Sequence, residues 1–251
     1  MQPIQPNFWH IAPPISPETD QALGDYPAYL RQILFNRGVK DATEACRYLA
    51  CEPPDCTDAY LLKDMQIAVD RLAHAIRRQE PIAVYGDYDA DGVTATALLV
   101  EALQALGGKA KEYIPNRFDE GYGLNVEALD GLAASGVHLV ITVDCGIRSL
   151  KEAEHARAAG IDLIITDHHH PIDAIPCAVA VINPKQPGDT YPDKDLAGVG
   201  VAYKLAQALV KAFPEAGVQA EKWLDLVAIG TVTDLAPLTG ENRSLVRAGL
   251  V

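Results

Sequence analysis

From Pro81 onward the chain alternates short apolar β runs with helical stretches, and this rhythm restricts the fold more than any other feature of the sequence. The β runs cover residues 82–85, 110–114, 138–143, 162–166 and 178–182, and the helical patterns cover about 93–106, 126–134, 149–159 and 199–213. Strands separated by helices join through right-handed crossovers. The pattern therefore predicts an α/β fold, a parallel five-stranded sheet with helices on both faces. Gly107, Gly108 and Gly160 stand just past helix ends, where a left-handed cap favours glycine.

Ahead of Pro81 the texture is different. Residues 1–20 are proline-rich and aperiodic, a lead-in anchored by Trp9. Helical patterns follow at about 21–35 and 42–49, then a Pro/Asp/Cys connector at 51–58. Over 61–78, Leu62, Met65, Val69, Leu72 and Ile76 recur at spacings of three and four and give one apolar stripe. Residues 1–80 are thus expected to form an N-terminal helical layer packed on the core, with 81–251 as the α/β domain. The chain stops at Val251 inside what reads as another helix, the pattern of a fragment of a longer protein.

In open parallel sheets, ligands bind beyond the carboxyl ends of the strands. Three of the five β runs end in similar chemistry: 82–85 leads into Asp87 and Asp89, 139–143 into Asp144, and 163–166 into Asp167, His168 and His169. Asp234 is a fourth candidate, where the apolar helix 224–229 breaks off in Gly230-Thr-Val-Thr-Asp. In an extended segment Asp87 and Asp89 point to one side, as an oxygen claw suited to magnesium or manganese. Taken alone, Asp87, Asp89 and Asp91 serve equally well as turn formers and helix caps. Convergence of three strand ends favours a site for Asp87 and Asp89, and leaves Asp91, with Gly92, as shaping the turn and capping the helix. Carboxylates from separate segments plus an imidazole can hold two divalent cations about 3.5–4 Å apart, the arrangement that activates water for phosphoryl displacement. Within the histidine run, His168 is expected as a ligand, His169 as a phosphate contact and His170 as incidental. Pro171 supports the turn that both of the first two need.

Net charge and cysteine usage limit the alternatives. A formal charge of −13 over 251 residues argues against a broad basic surface for nucleic acid. It leaves room for a narrow metal-lined site, because each divalent cation cancels two charges. The five cysteines are odd in number and form no C-x-x-C, so neither a disulfide framework nor a zinc knuckle is indicated. With no apolar stretch near the ~20 residues of a membrane span and no signal-like N-terminus, a cytoplasmic protein is expected.

Together, Val84-Tyr-Gly-Asp-Tyr-Asp-Ala-Asp-Gly-Val-Thr, Thr142-Val-Asp-Cys-Gly-Ile, Asp167-His-His and Gly230-Thr-Val-Thr-Asp resemble the four signature motifs of the DHH phosphoesterase family. Ile114-Pro-Asn-Arg-Phe-Asp-Glu-Gly-Tyr-Gly-Leu, Asn183-Pro, Leu196-Ala-Gly-Val-Gly-Val-Ala-Tyr-Lys and Glu241-Asn-Arg further resemble its branch of single-strand-specific 5′→3′ DNA exonucleases. The resemblance implies that Asp87, Asp89, Asp144, His168 and Asp234 bind two divalent cations, Mn2+ or Mg2+, with Asp144 as the bridge. It implies that Asp167 orients a ligand and that His169 touches the scissile phosphate. Arg117 and Tyr122 would hold the 5′-terminal nucleotide, although spacing alone suits Arg117 equally to an ion pair with Asp119 or Glu120. Gly198 and Gly200 have a plainer reading, that of letting a helix approach the sheet closely.

The reaction so implied is hydrolysis of the terminal phosphodiester of single-stranded DNA with a 5′ end, releasing 5′-mononucleotides in DNA repair and recombination. Alternatives are a phosphatase or phosphodiesterase of the same family acting on short oligonucleotides, pAp or cyclic dinucleotides, or a non-catalytic scaffold. The 114–124 block and the N-terminal helices count against the former, and filled ligand positions against the latter. A dinucleotide-binding Rossmann protein is excluded because no G-x-G-x-x-G follows the first strand. Two departures stand out. Many phosphatases of the family carry a histidine ahead of the D-x-D pair where this chain has Ala83 and Tyr85, which implies one metal site that is weaker or filled only with substrate bound. Proteins of the exonuclease branch also continue into a DHH-associated domain and an oligonucleotide-binding barrel, and residues 1–251 are expected to be the catalytic core without either.

Overall fold

The inner β runs are almost wholly apolar because helices cover them on both faces. The computed structural model describes residues 10–115 and 123–251, so Trp9, Arg117 and Tyr122 lie outside the described residues. The chain divides into two compact units, residues 1–52 and 53–251.

In the first unit, helices α1 (Pro17–Ala22), α2 (Ala28–Asn36) and α3 (Ala42–Ala50) surround a small core of Leu23, Leu34, Val39 and Ala45. The single helix expected over 21–35 is two. Pro27 stands at the start of α2 in an extended conformation (φ −57°, ψ 145°), and a proline disfavours helix in the residue before it, so the chain turns at residues 23–27. Asp41 caps α3 by accepting the Glu44 N–H at 2.9 Å.

The second unit begins well before the sheet. Helix α4 (Met65–Arg78) buries Met65, Val69, Leu72 and Ile76 against strand β5 (Ala180–Ile182) and helix α8 (Gly198–Ala212). The boundary expected at residue 80 therefore falls inside this unit, because the apolar stripe of α4 belongs to the core of the sheet. Arg71 ties α4 to strand β4 (Asp162–Thr166) through Asp162 at 2.6 Å, and also meets Glu80 at 2.8 Å.

The remaining strands are β1 (Pro81–Tyr85), β2 (Lys109–Tyr113) and β3 (Leu139–Val143), and the order is β2-β1-β3-β4-β5, all parallel. This is the α/β fold expected. Side chains alternate between two cores, as a period of two requires. Ile82, Val84, Leu139, Ile141 and Ile164 face α4, α5 (Ala90–Ala105) and α8. Ala83, Tyr85, Val140, Leu163 and Ile165 face α6 (Val126–Ala134) and α7 (Leu150–Ala158). Edge strand β2 carries exposed Lys109 and Lys111, charges that discourage pairing with a further strand. Among the described residues no helix is long and apolar enough to cross a membrane.

Chain direction across the sheet reverses between β1 and β3, whose pairing aligns Tyr85 with Thr142. Pairing of β3 with β4 aligns Val143 with Thr166. A crevice opens beyond such a switch point, and Asp87, Asp144 and Asp167 all follow strand ends that meet there. Helix α9 (Leu224–Thr233) packs against α5 and α8, and helix α10 (Gly240–Gly249) packs on α9.

Candidate metal centre

Each carboxylate at the switch point is placed by a different local device. Asp87 follows β1 after one glycine and is buried, and its Oδ1 accepts the Tyr88 N–H at 2.7 Å. Asp89 is exposed and caps α5, accepting the Gly92 N–H at 3.0 Å. Asp144 is buried with a φ of +61°, a left-handed conformation that L-residues other than Asn, Asp and Gly avoid. That turn aims its carboxylate at His168, whose Nε2 lies 3.1 Å from Asp144 Oδ1.

Asp167 does not face outward. Its Oδ1 accepts the N–H groups of His168 (2.7 Å) and His169 (3.0 Å) and bonds His169 Nδ1 at 2.8 Å, while Oδ2 accepts the Ile147 N–H at 2.9 Å. The Asn183 side-chain amide donates to the His169 carbonyl at 2.9 Å, and Arg148 Nε donates to that of His170 at 3.0 Å. These bonds shape the turn that lets adjacent histidines share one site, their rings 4.5 Å apart. His170 itself is exposed.

Ligand-type atoms gather in three overlapping groups, each within 4.8 Å: Asp87, Asp89 and Asp144; Asp91, His168 and Asp234; and Asp144, His168 and His169. The five residues expected as metal ligands are thus brought together, with Asp144 in two groups. Asp91 is the residue that sequence reasoning misassigned. Asp89 performs the capping of α5, whereas the buried Asp91 carboxylate accepts the N–H groups of Gly198 (2.7 Å) and Val199 (2.8 Å) at the start of α8. It lies 3.9 Å from His168 Nε2. The helix N-terminus at Gly198 has no side-chain cap of its own, so its free N–H groups are open to an acceptor from elsewhere in the chain.

Electrostatics reflect this crowding. Burial, reinforced by Asp144, pushes the Asp91 carboxyl up to about 7. Burial, reinforced by Asp167 and Asp89, pushes Asp144 up to about 8. Asp87 is also raised, first by burial. Burial would raise Asp167 too, but the hydrogen bonds from His169 outweigh it and hold the carboxyl below its usual range. Burial lowers His168 and favours the neutral imidazole that a ligand must be, while the bond to Asp167 raises His169.

The donor set fits divalent cations on the structure's own terms. Asp144 Oδ1 and His168 Nε2 are both buried, and although they lie 3.1 Å from each other neither makes a hydrogen bond among the described residues. Leaving such atoms bare is costly, and a cation between them would satisfy both. Oxygen ligands with one or two imidazoles suit Mn2+ or Mg2+. The nearby Cys145 thiol turns away, toward the Tyr85 carbonyl at 3.9 Å. Beside the cluster is a cavity of about 370 Å3 bounded by Leu124, Ile147, Arg148, Asp167 and His169.

Comparison with known proteins agrees with this geometry. The single-stranded-DNA-specific exonuclease RecJ of Bacillus subtilis (strain 168) is 47% identical over 218 residues, which cover 87% of this chain and 27% of that protein. A crystal structure of RecJ from Thermus thermophilus in complex with Mn2+ is similar with a TM-score of 0.74 and 34% identity, over 93% of this chain and 32% of that one. The same protein in complex with Mg2+ gives 0.61 and 31%, over 93% of this chain and 29% of that one. The chain thus spans about a third or less of the length of these relatives. Residues 81–231 match the model of the DHH family, N-terminal domain. The four motifs, the sheet order and the matched span together place the chain in the DHH family.

Proposed function

We propose that this chain is the catalytic core of a metal-dependent, single-strand-specific 5′→3′ exodeoxyribonuclease of the RecJ type, acting on DNA in the cytoplasm. The observation that carries the reading is the pair of buried, unpartnered atoms Asp144 Oδ1 and His168 Nε2 at the centre of three carboxylate and imidazole groups. Asp87, Asp89 and Asp144 would hold one divalent cation. Asp144, His168 and Asp234, with Asp91 alongside, would hold the second. When bound, Mn2+ or Mg2+ supplies positive charge against the phosphate oxygens and lowers the pKa of water.

The chain's own residues do the rest. Asp167 accepts four hydrogen bonds, two from ring and backbone of His169, and so fixes that imidazole with Nδ1 inward. His169 Nε2 is left to face the phosphate, and the raised pKa of the ring favours the protonated donor as charge develops on oxygen. Helix α5 begins at the same place, and its free N–H groups add a dipole that favours phosphate. Arg117 and Tyr122 are proposed to engage the 5′-terminal nucleotide, and further domains of the longer protein to complete the groove.

The test is Mn2+-dependent stepwise shortening of a 5′-phosphorylated, 3′-labelled single strand. Asp144→Ala is expected to reduce it by at least about 100-fold, since one residue serves both cations. Undiminished turnover would sink the assignment. Comparing the long strand with a dinucleotide separates exonuclease from short-oligonucleotide hydrolase.

A further inference from the structure

The metal ligands are not all held equally well. Asp91 is gripped by two amides of α8, and Asp87 and Asp89 each accept a backbone N–H. Asp234 is different. Like Asp144, it accepts no hydrogen bond at its carboxylate among the described residues, but where Asp144 is buried the Asp234 side chain is 27% exposed, 3.8 Å from His168 Nε2 at the end of α9. Leu235 then turns left-handed, with a φ of +58°. The placement of Asp234 comes from the backbone: from α9, where its N–H donates to the Gly230 carbonyl at 2.9 Å and the Ala236 N–H donates to that of Thr231 at 3.3 Å, and beyond Ala236 from whatever holds the segment that follows.

That segment is held from α10. The fully buried Asn242 side-chain amide donates to two carbonyls at once, Pro237 at 3.2 Å and Asp195 at 2.6 Å. Pro237 lies three residues beyond Asp234. Asp195 lies three residues before Gly198, the amide that grips Asp91. One NH2 group therefore bridges the two arms that carry Asp234 and the anchor of Asp91. The amide cannot be reversed, since its oxygen would then face two carbonyl oxygens. Its neighbour Glu241 fixes α10 to the same arm: its N–H donates to Asp193 Oδ2 at 2.7 Å, and its carboxylate accepts from Lys204 Nζ of α8 at 2.8 Å and from the Tyr191 hydroxyl. Lys204 in turn donates to the Thr57 carbonyl at 2.6 Å. The side chains of Asn242, Glu241, Lys204 and Tyr191 are all buried, more than a surface helix needs in order to stay attached.

We infer that Asn242, seated by Glu241, is a positioning residue that sets the distance of Asp234 from Asp91 and His168 and thereby the affinity of one of the two divalent cations. The inference rests on the metal centre proposed above. It separates the cations: the Asp87, Asp89 and Asp144 group has no member on either arm that Asn242 joins.

Mn2+ titration of the purified chain, followed by the loss of the free-ion paramagnetic resonance signal, tests this without any nuclease readout. In Asn242→Ala one of two binding steps weakens about 10-fold or more, as for other residues that orient metal ligands, while the other stays within about twofold. The weakened step is the one that Asp234→Asn removes. Leu245→Ala is the control, since it removes packing from α10 without touching the amide; it lowers the melting temperature and leaves both steps in place. Should Asn242→Ala fail to fold, Asn242→Ser, which keeps a small donor, carries the same expectation. Two steps that are unchanged in the Asn242 variant, or that weaken equally, overturn the inference. No Mn2+ uptake by the unaltered chain overturns the metal centre itself, and the inference with it.

Discussion

Asp144→Asn is expected to make the metal-free chain more stable and, in the same step, to remove its response to Mn2+. Asp144 is 1% exposed and its carboxyl is pushed up to about 8 by burial and by Asp167, while Asp91 beside it is pushed up to about 7. Carboxyls raised in the folded state bind more protons there than in the unfolded chain, where they titrate near 4. The sign follows directly: between about pH 4 and pH 8 the metal-free fold loses stability as pH rises. Asparagine removes one of these charges, keeps the shape, and tolerates the left-handed φ of +61° that would strain alanine. A gain of about 2 kcal/mol at pH 8 corresponds to about 4–8 °C in melting temperature for a chain of this size. For the unaltered chain, Mn2+ should raise the melting temperature more at pH 8 than at pH 5.5, because the cation competes with protons for the same oxygens. Thermal melts with and without Mn2+ across that range check both halves. An Asp144→Asn variant that melts at or below the parent at pH 8 would show that the cluster stores no electrostatic strain.

Topology explains why the site is legible at its strand ends and obscure elsewhere. Asp87, Asp89, Asp144 and His168 could be found because parallel topology places every strand's carboxyl end on one side, so that a local run such as Leu139–Val143 fixes where the next residue must be. Asp91 obeys no such rule. It lies in the first turn of α5, where an acidic residue is ordinarily explained by the helix dipole. Its true partners, Gly198 and Val199, are more than 100 residues away, and nothing local announces them. Pro27 was visible in the sequence, yet the apolar spacing on either side masked the break it causes between α1 and α2. In the sequence Asn242 stands out only as part of Glu241-Asn-Arg. Its meaning depends on two carbonyls brought together by tertiary packing, which no periodicity encodes.

Two glycines on one turn of α8 make the sharpest remaining contrast. Gly198→Ala is expected to lose Mn2+ affinity by about 10–100-fold, and nuclease activity with it, while Gly200→Ala stays near the parent. A Cβ on Gly198 would lie 2.6 Å from Asp144 Oδ1 and 2.7 Å from Asp144 Cβ, far inside van der Waals contact. Neither atom is the loose end of a flexible chain. To relieve the clash, either Asp144 must leave its place between the two ligand groups or α8 must retreat and release the amides that hold Asp91. The nearest atoms to a Cβ on Gly200 would belong to the Leu196 side chain, at an ordinary 3.4 Å or more. Close approach of helix to sheet is thus a property of Gly198, and what it approaches is a ligand rather than the strands. Alanine favours helix over glycine by up to about 1 kcal/mol, which offsets part of an overpacking cost of about 1–3 kcal/mol. Gly198→Ala should therefore fold, with a melting temperature within several degrees of the parent, and fail specifically in Mn2+ titration. Parent-like Mn2+ affinity in Gly198→Ala would mean that Asp144 is free to move without cost, and the centre would then lack the preorganisation that its buried, unpartnered Oδ1 implies.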